Sequence, residues 1–504
     1  MVASSFEECQ HISGIDSVNN KRLGPDDSVA IIDFDGTEYS YSQLRSMSSM
    51  LAQILIDHGV SGGDRVVIVS ENSAMYAISL FAISEIGAWS VLVNARQSIT
   101  ELDAIIKHSE PTCVLFTTRS SKDALNHANR MNAKTIREIQ CGPVVCTKLN
   151  PQKQENVLTD GEQVAVLLYT TGTTSSPKGV MLTHNNLLFN SENSANHIGL
   201  NSNDRVLGVL PGTHIYCLAS AFLPVIYAGG SIQFIPRFKP EEVLKFLRNG
   251  ITRFPGVPQM FASIIELLDA KDEILNAPKL RNLATGGAPL DPDVKAQIEK
   301  IFKLQLNNGY GITETSPTIA VTKNELPRSD LSVGLPVPNV EVKINKPNSE
   351  NIGEIFVRGK NVMKGYYRDP QKTKEAITPD GYFKTGDLGY LDESGALFII
   401  GRLKELIIRS GFNVYPPEIE AMVTKHPNVY QSAVIGNKIK NNEEILAFVL
   451  TDGKILETAL KIWLKERLAP YKIPQRIFVV KEFPTAATGK ILKHKLLSYF
   501  SDII

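Results

Sequence analysis

Cysteine and tryptophan are scarce in this chain. Its 504 residues include two tryptophans and five cysteines: Cys9, Cys113, Cys141, Cys146 and Cys217. An odd, widely spaced set excludes a disulfide framework. Only Cys141 and Cys146 lie close together, and no second pair or histidine stands near enough to complete a zinc site. Reduced thiols in a cytosolic protein are the expectation. Charge of one sign is missing too: 53 Lys+Arg face 53 Asp+Glu. That balance gives no basis for binding nucleic acid or a bulk membrane surface. Only Lys461–Lys495 is locally basic. No apolar run is long enough to span a bilayer as a helix. The opening MVASSFEECQHISGID has no basic n-region and no apolar h-region, and it carries acids. Neither a secretory leader nor a transit peptide is expected from it. The closing Ser501-Asp-Ile-Ile504 matches no targeting address.

What is present fits a large folded globular protein. Apolar residues make up 43% and charged residues 21%, an ordinary globular balance. The length predicts two or three domains, or a large one and a small one. Leu44, Met47, Leu51, Ile54 and Leu55 recur at helical spacing and Gly59 follows as a stop. Arg65–Val69, then a helical stretch over Ala74–Ile86, then Trp89–Val93 read as a βαβ unit with a parallel sheet. The pattern returns near Val164, Arg253, Leu283 and Leu304. From Gly334 onward short strands and turns take over: Val340–Ile344, Gly353–Arg358 and Leu397–Ile400, with a hairpin turn at Asp392–Gly395. A smaller unit follows, with helices near Pro417–Lys425 and Leu456–Leu468 and strands near Ser432–Ile435 and Leu446–Leu450. The expected fold is α/β: a large N-terminal domain over residues 1–401 with a β-rich portion, then a small α+β domain over 402–504.

The strand Val164–Tyr169 runs into Thr170, Thr171, Gly172, Thr173, Thr174, Ser175, Ser176, Pro177 and Lys178. Small hydroxyl residues and a glycine leave backbone N–H and side-chain O–H groups free to surround anionic oxygens, and Lys178 adds a charge. This is a phosphate cradle. It is not a Walker A loop, because Gly179 follows the lysine where Ser or Thr is required.

YTTGTTSSPKGV resembles the phosphate loop of the acyl-adenylate-forming superfamily: acyl- and aryl-CoA synthetases, adenylation domains and beetle luciferases. Further stretches resemble that superfamily in its order: Gly286–Leu290, Asn308–Glu314, Lys384–Asp387, Gly401–Lys404, Asn413–Pro416 with Glu418–Glu420, and Thr488–Lys490. The resemblance implies ATP, Mg²⁺ and coenzyme A as reactants or cofactors. It implies nucleotide contacts by Thr170–Thr174, Lys178, Gly287, Ala288, Pro289, Asn308, Gly309, Tyr310, Gly311 and Thr313. A turn at Gly286–Pro289 lets backbone approach a purine, and Tyr310 can stack on it. Glu314, with Thr170, is implied at Mg²⁺, for which a carboxylate is a suitable hard ligand. Asp387 and Arg402 are implied at the ribose. Lys490 is implied as the adenylation lysine and Lys404 as the hinge. Members of the superfamily run two half-reactions with two orientations of the small domain.

Leu210–Tyr216 resembles the segment leading to the acyl pocket of 4-coumarate and fatty-acid CoA ligases, with His214 implied near the substrate carboxylate. From Arg205 to Pro236 there is no Asp or Glu. A buried ammonium there would have no counter-charge, so the acid expected lacks an α-amine. Leu218, Ala219, Phe222, Leu223, Val225 and Ile226 offer an apolar lining. The expectation is a medium-to-long-chain fatty acid, with an aryl acid such as a cinnamate as the alternative. CoA is the expected acceptor and a carrier protein the alternative; a luciferase-like oxygenase is the alternative of another class. The expected partners are small molecules, and oligomeric state is not legible. Two departures from the family pattern stand out. Ile408 and Asn413 occupy positions where plant coumarate ligases have Lys and Gln. Ser175 stands where the phosphate loop commonly has Gly, which would strain it if that position needs φ > 0.

Overall fold

The computed structural model describes residues 26–149, 154–158, 161–170, 177–409, 412–439, 442–451, 453, 456–485 and 491–504. The chain forms two compact units. The first holds the described residues up to Glu341 together with Val357–Phe383; the second holds Val342–Phe356 and the described residues from Lys384 on.

Two large sheets build the first unit. One has eight strands, in the order 365–366, 178–183, 164–170, 89–94, 65–70, 113–116, 142–148 and 134–139. The four running 164–170, 89–94, 65–70 and 113–116 are mutually parallel. The βαβ unit expected from the sequence is there: Arg65–Ser70, helix Ala74–Ile86 and Trp89–Asn94, with Arg65 opposite Trp89. The other sheet has nine strands. Its six parallel members, 306–311, 282–286, 253–256, 205–208, 231–234 and 29–32, lie side by side in that order.

Helices fill the space between. Tyr41–Asp57 starts at a capping box, Ser40 with Gln43, and buries Leu44, Met47, Leu51 and Leu55 along one stripe. Ala74–Ile86 has no polar face: ten of its thirteen residues are buried. A helix apolar all round must be enclosed on all sides. It is: its residues share one core with Val66, Ile68 and Val166 of the first sheet and Val206, Ile232 and Phe234 of the second. Gly87, with φ of 75°, ends this helix in the left-handed conformation that glycine adopts without strain.

Phe383–Leu391, in the second unit from Lys384 on, and Leu397–Arg402 form an antiparallel pair at the edge of a four-stranded sheet. The expected Asp392–Gly395 turn joins them. Farther on, helices Pro416–Thr424 and Glu457–Lys465 pack on a three-stranded sheet of Val429–Ile439, Asn442–Thr451 and Arg476–Val480.

Candidate functional site

The residues implied by the sequence fall into two groups, one in each unit.

In the first unit, Val164–Thr170 and Lys178–Thr183 form a hairpin with Thr170 opposite Lys178. Thr171, Gly172, Thr173, Thr174 and Ser175 lie outside the described residues. The short strand Gly365–Tyr366 adds to this hairpin, with Tyr366 opposite Val180. That register aims the Tyr366 hydroxyl at Glu314, and it donates to Oε1 at 2.9 Å. Lys178 Nζ stands 5.6 Å from the centre of the same ring. Burial, followed by the charge of Glu314, pushes the Tyr366 pKa upward, so the phenol stays a donor. Glu314 is held from behind as well: its carbonyl accepts the Met363 N–H at 2.9 Å. One tyrosine therefore gathers Lys178 and Glu314, the residues expected at the phosphates and at the metal. Tyr366 is not among the residues expected from the sequence. It lies 52 residues from its partner, and no local spacing signals the contact.

The strands Asn282–Gly286 and Leu306–Gly311 are parallel neighbours, and Gly286 faces Gly309 at their carboxyl ends. Open parallel sheets bind ligands beyond those ends. Gly287 there has φ of 76°, and a Cβ on it would meet nothing within 4 Å. The turn thus borders open space, as a flat ring would require; Ala288 is half-buried and Pro289 exposed beside it. Tyr310 and Thr313 are half-buried. Two expected roles gain a different physical reason. Gly311 is required by its own fold, since a Cβ would come 2.1 Å from the Pro317 carbonyl. Asn308 spends its amide nitrogen on the carbonyls of Leu331 and Ser332, both at 3.3 Å.

His214 is exposed at the start of the short helix Ile215–Cys217, where its Nδ1 accepts the Tyr216 N–H at 3.2 Å. A π-helical turn, Leu218–Phe222, and the helix Leu223–Tyr227 follow. Leu218, Ala219, Phe222, Leu223, Val225 and Ile226 are all buried. The Tyr216 ring reaches toward Gly286, whose Cβ would lie 3.7 Å from it.

In the second unit, strand register sets Asp387 opposite Arg402. Nε of the arginine lies 3.0 Å from Oδ1 of a carboxylate only 5% exposed. Gly386, with φ of 70°, turns the chain so that the Asp387 N–H meets Thr385 Oγ1 at 3.0 Å. Lys404 sits in the single 3₁₀ turn Leu403–Glu405. Lys490 lies outside the described residues, but the segment after it is anchored. Lys493 Nζ pairs with Glu420 at 2.7 Å and Glu405 at 3.3 Å. Burial opposes the charge on Lys493, yet the two carboxylates outweigh it and raise its pKa.

Among the described residues, no cluster of three or more His, Cys, Asp or Glu could hold a metal ion. A lone carboxylate beside a phosphate cradle instead suits Mg²⁺, which keeps most of its oxygens from water and nucleotide. No helix among the described residues is long and apolar enough to cross a membrane.

Comparison with known proteins bears on the same features. The AMP-binding enzyme family matches residues 19–367. The AMP-binding enzyme C-terminal domain matches residues 418–490, ending on Lys490. The chain is 33% identical to the 2-succinylbenzoate–CoA ligase of Bacillus licheniformis, covering 93% of this chain and 96% of that one. It is 31% identical to 4-coumarate–CoA ligase 2 of Nicotiana tabacum, covering 91% and 89%. It is 29% identical to the long-chain-fatty-acid–CoA ligase of Bacillus subtilis, covering 92% and 91%. Among solved structures, the O-succinylbenzoate coenzyme A synthetase of Bacillus subtilis in complex with ATP and magnesium ion aligns with a TM-score of 0.80. It is 29% identical and covers 93% of this chain and 96% of that one. The family match over residues 19–367, with relatives named as CoA ligases across more than nine-tenths of the chain, places it among the AMP-binding enzymes as an AMP-forming acyl-CoA synthetase.

Proposed function

We propose that this enzyme adenylates a carboxylic acid lacking an α-amine and passes the acyl group to coenzyme A, with a medium-to-long-chain fatty acid as the leading substrate and an aryl acid next. The observation that carries the ATP half is the meeting of Lys178 and Glu314 on Tyr366 beside the phosphate-loop hairpin. Lys178 and the loop hold the β- and γ-phosphates that leave as pyrophosphate. Glu314, with Thr170, would hold Mg²⁺, which would supply positive charge to the nucleotide phosphates. Gly287–Pro289 and Tyr310 receive the purine, and Asp387 accepts the ribose hydroxyls with Arg402 beside it. His214 stands at the mouth of the acyl site. Lys490 is the adenylation lysine, whose charge offsets the repulsion between carboxylate and α-phosphate, and Lys404 is the hinge residue. The boundary between large and small domains is placed at 401–402.

For the acid, the supporting observation is the burial of Leu218, Ala219, Phe222, Leu223, Val225 and Ile226 after His214 and the absence of any acid from Arg205 to Pro236. The curated relatives act, by their names, on aromatic and on long-chain acids alike, so the aryl reading stands close behind. ATP–pyrophosphate exchange over a panel of fatty, aryl and amino acids, with and without CoA, tests this. Exchange with fatty or aryl acids and none with amino acids is expected, with thioester only when CoA is added. Folded protein with Mg²⁺ giving no exchange with any acid would overturn it.

The Tyr366 contact makes a smaller prediction. A hydrogen bond to a charged group is worth about 1.5–3 kcal/mol, and Tyr366→Phe removes one from Glu314. The KM for ATP should rise about tenfold, with the KM for the acid unchanged. An unchanged ATP dependence would show that Tyr366 does not orient the carboxylate.

A further inference from the structure

The segment after His214 breaks its own helix. In the π-helical turn Leu218–Phe222 the Leu223 N–H returns to the Leu218 carbonyl. Such a turn disturbs the regular pairing of carbonyls with helical donors, and it recurs at functional sites. Two side chains from elsewhere meet its carbonyls. Asn190 Nδ2 donates to Ala219 O, and Arg253 Nη1 donates to Ser220 O at 2.6 Å.

Arg253 brings more charge than that bond needs. It opens the strand Arg253–Gly256 and is 4% exposed. Its Nε donates to Asn282 Oδ1 at 3.1 Å. Both partners are neutral. Among the described residues no carboxylate forms an ion pair with Arg253. The acid whose field reaches it, Asp204, is already taken by Arg281 at 2.6 Å and by the Thr252 hydroxyl at 2.7 Å. Burial draws the guanidinium pKa down to about 10, which still leaves it charged at neutral pH. A buried cation without a counter-charge is costly, so a structural clamp for one carbonyl does not account for an arginine here.

Its position supplies the account. Arg253 feels the field of Tyr216, whose hydroxyl is 3.5 Å from the carbonyl of Gly256 at the other end of the same strand. Three residues of strand put Arg253 about 10 Å below the carboxyl end of its strand, and its bond to Ser220 O ties it to the stretch after His214 that is proposed to line the acyl site. We propose that Arg253 forms the far end of the acyl site and that the preferred acid carries a second carboxylate, or an equally anionic group, remote from the carboxyl that is activated. This rests on the ligase reading above and narrows its acid from a plain fatty or aryl acid to one with an anionic tail.

The test is ATP–pyrophosphate exchange by the full chain with straight-chain monocarboxylates and the α,ω-dicarboxylates of the same lengths, and with cinnamate against carboxycinnamate. At the best length, the diacid should exceed its monocarboxylate partner at least tenfold in kcat/KM. Arg253→Met should reverse that order, with the KM for ATP unchanged, while Arg253→Lys keeps the diacid preference in weakened form. If Arg253→Met fails to fold by circular dichroism, the wild-type panel with Arg253→Lys decides. A wild type that prefers the monocarboxylate at every length, or an Arg253→Met enzyme that still prefers the diacid, overturns the proposal while leaving the ligase reading intact. Exchange with no acid at all overturns both.

Discussion

Lys490→Ala should abolish acyl-adenylate formation and largely spare thioester formation from supplied acyl-adenylate. The first half-reaction brings a carboxylate against an anionic α-phosphate, and like charges oppose the approach. A cation between them offsets that repulsion and stabilises the charge that builds on the phosphorus oxygens; catalysis of phosphoryl-type transfer rests mainly on such positioned charge. Removing one such group costs on the order of 10²–10³ in rate, and losing a full positive charge belongs at the upper end. The second half-reaction attacks a neutral acyl carbon with a thiol and releases AMP. No carboxylate meets a phosphate, so Lys490 has nothing comparable to do. Its neighbour Lys493, tied to Glu405 and Glu420, keeps the segment anchored when Lys490 is trimmed, which makes misfolding a poor explanation for a selective loss. Single-turnover assays of each half-reaction, one from acid and ATP, the other from acyl-adenylate and CoA, separate the outcomes. Equal loss in both would refute the division of labour.

Much of this site is legible in the amino-acid sequence because its constraints are local. The hairpin around the phosphate loop, the turn after Gly286 and the turn at Asp392–Gly395 announce themselves through glycine and small polar residues that only certain backbones use. The βαβ rhythm announces parallel sheets, and ligand sites at their carboxyl ends follow. Asp387 and Arg402 each stand in a separate motif, and strand register sets them opposite each other. The illegible parts are contacts between distant strands. Tyr366 meets Glu314 only because a two-residue strand pairs beside the phosphate-loop hairpin. Leu218–Phe222 reads as ordinary helix; its π-turn is met by Asn190 and Arg253 from other elements. Gly311 is legible as a necessary glycine, but its cause is a neighbouring carbonyl rather than a ligand.

Glu314→Gln should lower the rate of adenylation on the order of 10²–10³-fold while leaving the fold in place. The substitution is nearly isosteric, and a glutamine oxygen still accepts the Tyr366 hydroxyl that the carboxylate accepts at 2.9 Å. The main-chain bond from Met363 is unaffected, since it uses the carbonyl. What disappears is the negative charge. If Glu314 serves only to brace Tyr366, Glu314→Gln is nearly silent and Tyr366→Phe costs as much or more. If Glu314 binds a divalent cation, the order is reversed and the Mg²⁺ concentration for half-maximal pyrophosphate exchange rises. No cluster of acids stands by to take over among the described residues, so the shift should be large and only partly recovered at high Mg²⁺. Pyrophosphate exchange titrated with MgCl₂ at fixed ATP, run on both variants beside the wild type, reads the difference directly. A Glu314→Gln enzyme with wild-type rate and wild-type Mg²⁺ dependence would remove Glu314 from the metal site and leave the carboxylate as a structural partner of Tyr366.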